Sequence, residues 1–135
     1  YNVVHCVNWL CNAMNERFPE LDVLWMEGGL AWVLWVNQRI DSEYRMRSSE
    51  VPGLKKLPSE YLRDMYYTSQ PLEAGDTYLL EQTMKAIDAA NQVIYASNYP
   101  LPDMDIPSVI WDLEFLDEQQ KRNILGENAR NLFNL

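Results

Sequence analysis

The sequence predicts an α/β fold built on parallel strands, and three observations carry that prediction. Short β-rich runs alternate with helix-patterned segments along the chain. The runs are nearly continuous in hydrophobicity, as strands covered on both faces are. Each is followed by a helical segment rather than a second strand, which calls for right-handed crossover connections.

The elements follow in order. Residues 3–17 (VVHCVNWLCNAMNER) place Val3, Val7, Leu10, Cys11 and Met14 at helical spacing. Phe18-Pro19 ends that helix, because a residue ahead of proline is pushed out of the α region. Residues 22–27 (DVLWME), closed by Gly28-Gly29, read as the first strand. A helix over 30–46 comes next. Its opening LAWVLWV is apolar on every side, since seven residues at about 100° each span the whole circle. Such a segment has to be covered twice, once by its own sheet and once by another layer, and an oligomer interface is the expected second cover. Further on it turns polar at Gln38, Arg39, Asp41 and Glu43.

Residues 48–57 form a loop around Pro52-Gly53, and 58–65 a short helix with proline in its first turn. YYTSQ (66–70) is the second strand, cut off by Pro71. Residues 77–90 make one amphipathic helix on Leu80, Met84 and Ile87, with Glu81 and Lys85 outside. VIYAS (93–97) is the third strand, followed by a loop punctuated by Pro100, Pro102 and Pro107. Asp117 with Gln120 marks a helix start, and Ile124-Leu125-Gly126 a stop, ahead of a last turn at 131–133.

The totals narrow the classes of function. The 135 residues, 47 % of them hydrophobic, suffice for one domain spanning 1–135 with a real core, and five Trp and eight Tyr must bury large surfaces. Twenty acidic against eleven basic residues leave a formal charge of −9, which argues against nucleic acid or an anionic membrane as partner. No apolar run is long enough for a bilayer, and the start lacks the build of a signal peptide. The first residue is Tyr1, so the chain is expected to be processed or part of something longer. Cys6 and Cys11, five apart, diverge by about 140° on one helix, too far for a bridge. One histidine excludes a zinc finger, and a reducing cytoplasm is the expected location.

Three strands are too few for a whole sheet of this type. A flavodoxin-like sheet has about five, and a closed barrel about eight in about 250 residues. Three parallel strands also leave an unpaired apolar edge, so a companion chain or a second copy is expected.

Four stretches carry a family resemblance: RFPELDVLWMEGGLAW (17–32), LPSEYLRDMYYTSQPLE (57–73), VIYASNYP (93–100) and DEQQKRNILGENARNLF (117–133). In order and spacing they resemble the C-terminal half of the amidohydrolase-related family. That family contains metal-dependent hydrolases and non-oxidative decarboxylases such as the aminocarboxymuconate-semialdehyde and γ-resorcylate decarboxylases. The resemblance implies a partial (β/α)8 TIM-type barrel. It also implies chemistry at the C-terminal ends of the strands, on a small-molecule substrate, with a divalent metal (Zn or Mn) in the complete assembly or none if activity is lost. The family's His-x-His pair and mid-barrel histidine would lie upstream of Tyr1, on another polypeptide.

The family's last-strand motif, Ser-Asp-Tyr/Trp-Pro-His, reads Ser97-Asn98-Tyr99-Pro100-Leu101 here. An asparagine offers a cation a neutral carbonyl and is useless as a general base, so Asn98 cannot replace the aspartate in chemistry. It orients a weakly held ion or, the reading that weighs more, caps the strand-to-loop turn. Glu27 stands in EGG, where relatives have His-Gly-Gly or Glu; it is a base or substrate contact, or else a buried carboxylate paired with Arg39 or Arg63. Gln70 and Glu73 in QPLE reach substrate at the same mouth or serve loop hydrogen bonds. His5 is read as packing or surface, and Trp25, Trp32, Trp35 and Tyr66 as core and interface rather than a substrate cage. Two functions remain open: part of an enzyme completed by another polypeptide, or a subunit kept for assembly after losing its catalytic aspartate.

Overall fold

The computed structural model describes residues 1–135. Its centre is a three-stranded parallel sheet, β1 (Leu24–Trp25), β2 (Tyr66–Thr68) and β3 (Val93–Ile94), in the order β1-β2-β3. Leu24 pairs with Tyr66 and Trp25 with Tyr67; Tyr67 pairs with Val93 and Thr68 with Ile94. Trp25, Tyr67 and Val93 therefore share one face of the pleat, and Tyr67 and Val93 are buried in the main core with Cys6, Leu10, Ile110 and Ile124. The Tyr67 hydroxyl donates to the Leu62 carbonyl at 2.8 Å, so even this deep phenol is satisfied.

All three strands are shorter than the β-rich runs suggest. Glu27 leaves the first run with φ 55°, Pro71 stops the second, and Asn98 turns the third at φ 54°. A left-handed residue cannot continue a ladder.

Helices α1 (Asn2–Cys11) and α2 (Met14–Arg17) replace the single helix expected over 3–17. The break is at Ala13, left-handed at φ 49°. Next to it the Asn12 amide donates to both the Asn8 carbonyl and the Asn8 side chain at 2.8 Å, a local alternative to helical bonding. The amphipathic helix expected over 77–90 is likewise two helices, α5 (Thr77–Ala86) and α6 (Ala89–Gln92), broken at left-handed Asp88 so that the chain can turn into β3. Asp tolerates that conformation better than most residues.

Helix α3 (Ala31–Arg47) buries Val33, Val36 and Ile40 and leaves Trp35 59 % exposed. Within the chain, then, its apolar start is covered on one side. Helix α4 (Pro58–Leu62) begins on its proline, with the Asp41 carboxylate taking the Ser59 amide at 2.9 Å and its hydroxyl at 2.7 Å. A short α7 (Ser108–Trp111) precedes α8 (Glu118–Arg122), which opens on the capping box expected at Asp117 and Gln120.

Gly126 does not stop that helix. Residues Asn123–Glu127 form a π turn that runs straight into α9 (Asn128–Phe133). The Asn128 amide donates to Asn123 rather than Ile124, which releases the Ile124 carbonyl to accept the Tyr95 N–H at 2.8 Å. A tertiary bond at the sheet outweighs the small helix penalty of glycine.

Candidate active site at the strand mouth

Parallel strands deliver their C-terminal ends to one side of the sheet, and the polar residues there are set by backbone geometry. Glu27 follows β1. Its amide donates to Thr68 Oγ1 at 2.9 Å, and its carboxylate is exposed. No ion pair joins it to Arg39 or Arg63; Arg39 pairs with Glu43 along α3. The buried-pair alternative for Glu27 is thus corrected: at a left-handed residue leaving the strand, the side chain points outward. Gly29, at φ 64°, brings its backbone against the Pro71 carbonyl, where a Cβ would sit at 3.2 Å. A Cβ on Gly28 would meet Trp32 Nε1 at 2.8 Å. The glycine pair is what lets α3 begin this close to β1 and β2.

Gln70 lies two residues past β2 and is 1 % exposed. Its Nε2 donates to the Asp103 carboxylate at 3.1 Å and to the Asp103 carbonyl at 3.2 Å. From the end of β3, Asn98 Nδ2 donates to the other oxygen of the same carboxylate at 3.1 Å. Two amides from two strands thus converge on one acid that arrives from the following loop. The Asn98 main-chain carbonyl accepts the Leu101 N–H at 2.9 Å, closing a turn.

Asp105 ties down the same loop. Its carboxylate accepts the Leu72 N–H at 3.1 Å, its amide donates to the Ser97 carbonyl at 3.0 Å, and its carbonyl accepts the Tyr95 hydroxyl at 2.7 Å. Burial, and then the nearby Asp105 charge, push the Tyr95 phenol above its ordinary range, so it stays a neutral donor.

Glu73 lies exposed beyond Pro71, in a cavity of about 230 Å³ shared with Leu30, Ala31 and Asp76. His5 lies exposed on α1, as a surface residue. Trp25 and Trp32 meet edge-on at 6.2 Å, and Trp32 meets Tyr67 at 5.8 Å, within the core layer. Sequence reasoning missed Asp103 and Asp105. Only the proline spacing of the loop around them hinted that it was built rather than slack.

The residues of this chain do not by themselves fit a divalent metal. No group of three His, Cys, Asp or Glu gathers anywhere. Asn98 turns an N–H donor toward Asp103, so this position is occupied by a hydrogen bond between side chains. No helix is long and apolar enough to cross a membrane.

The family model described as Amidohydrolase matches residues 3–135. No curated protein matches the sequence. Among solved structures, the chain resembles 5-carboxyvanillate decarboxylase from Sphingomonas paucimobilis, with a TM-score of 0.74 and 21 % identity, over 96 % of this chain and 38 % of that one. The chain therefore spans well under half the length of the protein it matches. Its three strands and flanking helices are part of a TIM-type barrel.

Proposed function

The chain belongs to the amidohydrolase family, and from that premise we propose that it is the C-terminal portion of a hydrolase or non-oxidative decarboxylase. In this reading residues 1–135 form one unit, and another polypeptide segment carries the remaining strands. The observation that carries it is the convergence of Gln70 and Asn98 on Asp103 at the strand mouth. A carboxylate is kept there although the strand-end position has become an amide. Each Asp103 oxygen accepts one side-chain amide, which fixes the orientation of the group and leaves further lone pairs to take a proton or bind a donor on the substrate. Glu27 places a second carboxylate at the end of β1.

The substrate class that suits the solved neighbour is an aromatic carboxylic acid. In this reading any divalent metal in the complete protein takes at least some of its ligands from the other strands, because this chain offers no set of three of its own. Two free cysteines agree with a cytoplasmic setting. The test is carbon dioxide release from hydroxylated aromatic carboxylates, 5-carboxyvanillate among them, by the complete protein. Release that falls at least about tenfold in Asp103→Asn supports the reading, and release indifferent to that change overturns Asp103 as its acid.

A second reading is favoured by one observation. The Asn98 side chain donates to Asp103 and its main-chain carbonyl closes a turn, which is structural work. On that reading the chain is a non-catalytic subunit retained for assembly. Metal content near zero in the complete protein, together with no turnover, would select it.

A further inference from the structure

Helix α3 packs against α1, which precedes β1, and against α5, which follows β2. Its neighbours around the ring are therefore both supplied by this chain. The rest of a barrel joins at the two ends of the sheet and continues the ring from there, so it does not cross the outside of α3. That outside is nevertheless apolar and open. Trp35 and Met46 are both more than half exposed, and a cleft of about 420 Å³ lies between α3, α1 and the loop after α3.

One line of charges follows the cleft. Arg39, Glu43, Arg47 and Glu50 all line it, spaced four, four and three residues apart. That spacing keeps them on one stripe of α3 and of the 3₁₀ turn that continues it (Ser48–Glu50). Arg39 and Glu43 pair along the helix, whereas Arg47 and Glu50 have no charged partner within the chain. The chain as a whole carries a formal charge of −9, which opposes self-association, but along this cleft the signs cancel.

The order of the signs is plus, minus, plus, minus. Read from the other end it is minus, plus, minus, plus. A second copy turned about a two-fold axis therefore sets an opposite charge against every one of the four. The axis passes between Glu43 and Arg47, so that Glu43 faces the partner's Arg47 and Arg39 faces the partner's Glu50. Met46 lies on the same side of the helix and falls beside the axis, against its own copy.

We propose that this cleft is the interface of a two-fold dimer, with α3 of one copy antiparallel to α3 of the other. The same patch on both copies closes the contact, as a cyclic dimer requires. The inference goes beyond the catalytic reading and uses the partial-barrel reading only to say where the remaining strands lie.

The experiment is sedimentation of the complete protein over a dilution series, with the melting temperature of each variant measured alongside. The wild type is expected to be a dimer that dissociates on dilution. Arg47→Glu sets like charges against each other twice across the axis and should weaken the dimer at least about tenfold. Glu43→Arg added to it restores opposite signs at every position and should return the dissociation constant to within about threefold of wild type. The same swap at the outer pair, Arg39→Glu with Glu50→Arg, should preserve the dimer as well, which frees the test from how the Arg47 variants fold. A complete protein that is monomeric throughout overturns the inference, and so does a dimer indifferent to Arg47→Glu, because another face then holds it. Swapped variants that melt like the wild type yet stay monomeric overturn it too. A complete protein that contains no polypeptide beyond these residues refutes the partial-barrel reading, whatever its state of association.

Discussion

Gln70 grips Asp103 at two acceptors at once, the side-chain oxygen at 3.1 Å and the main-chain oxygen at 3.2 Å, from a position almost sealed from solvent. This makes Gln70 the anchor of the loop after β3. Gln70→Ala is expected to cost about 1–3 kcal/mol, the range for lost bonds to a charged acceptor. Gln70→Glu should cost more at neutral pH, since it sets a carboxylate against a carboxylate, and should recover part of the loss in acid. Urea unfolding at neutral and acid pH reads both.

Asn98 combines a left-handed backbone with a bond to Asp103. Asn98→Ala should lose about 1–2 kcal/mol from the backbone alone, and Asn98→Gly should restore most of that part. Asn98→Asp keeps the turn but places like charges side by side, so its deficit should be large at neutral pH and shrink as one of the pair takes up a proton. Thermal melts across pH separate the three variants.

At the other end of the strands, Glu16 receives the Lys55 ammonium and the Tyr61 hydroxyl, each at 2.5 Å. Those bonds, Lys55 first and Tyr61 second, hold the Glu16 carboxyl below its ordinary range. A lowered folded-state value contributes stability that is present above the unfolded carboxylate pKa and lost as pH falls through the folded one. The wild-type melting temperature should therefore drop on acidification through that window, with a smaller drop in Glu16→Gln. Lys55 is raised by the same pair, so its share is complete below its ordinary pKa and disappears as pH climbs through the folded value.

The two thiols should differ in reactivity. Burial pushes Cys6 up to about 12; it raises Cys11 as well, but that thiol is exposed on the same helix. At pH 8, iodoacetamide should modify Cys11 at least about 100-fold faster than Cys6, because only the thiolate reacts. Mass spectrometry of the folded protein should find one adduct, and of the unfolded protein two.

Much of this molecule is legible in its sequence. The strand-helix alternation, the Gly28-Gly29 turn, the proline start of α4 and the capping box of α8 each depend on local chemistry, and local chemistry is what a sequence displays. The breaks at Ala13 and Asp88 are less visible, because apolar spacing continues across them and only the direction of the next element requires the kink. The side-chain amide of Asn98 is plain in the sequence, but its partner Asp103 is hidden. The contact joins a loop to two strand ends, with Gln70 lying 33 residues away along the chain. The double cover expected for α3 is not supplied by these residues, which leave Trp35 more than half exposed.

The π turn at Asn123–Glu127 has a phase consequence for the C-terminal segment. One residue beyond a regular turn rotates everything after it by about 100°. No single helical wheel drawn through α8 and α9 can describe both, while the Ile124 carbonyl and the Asn128 side chain each bond β3 or the residue just after it. Deleting Gly126 would restore an unbroken spiral and swing the Asn128 amide off the sheet. The shorter helix would be the more regular one, and the strand beside it would lose its cover.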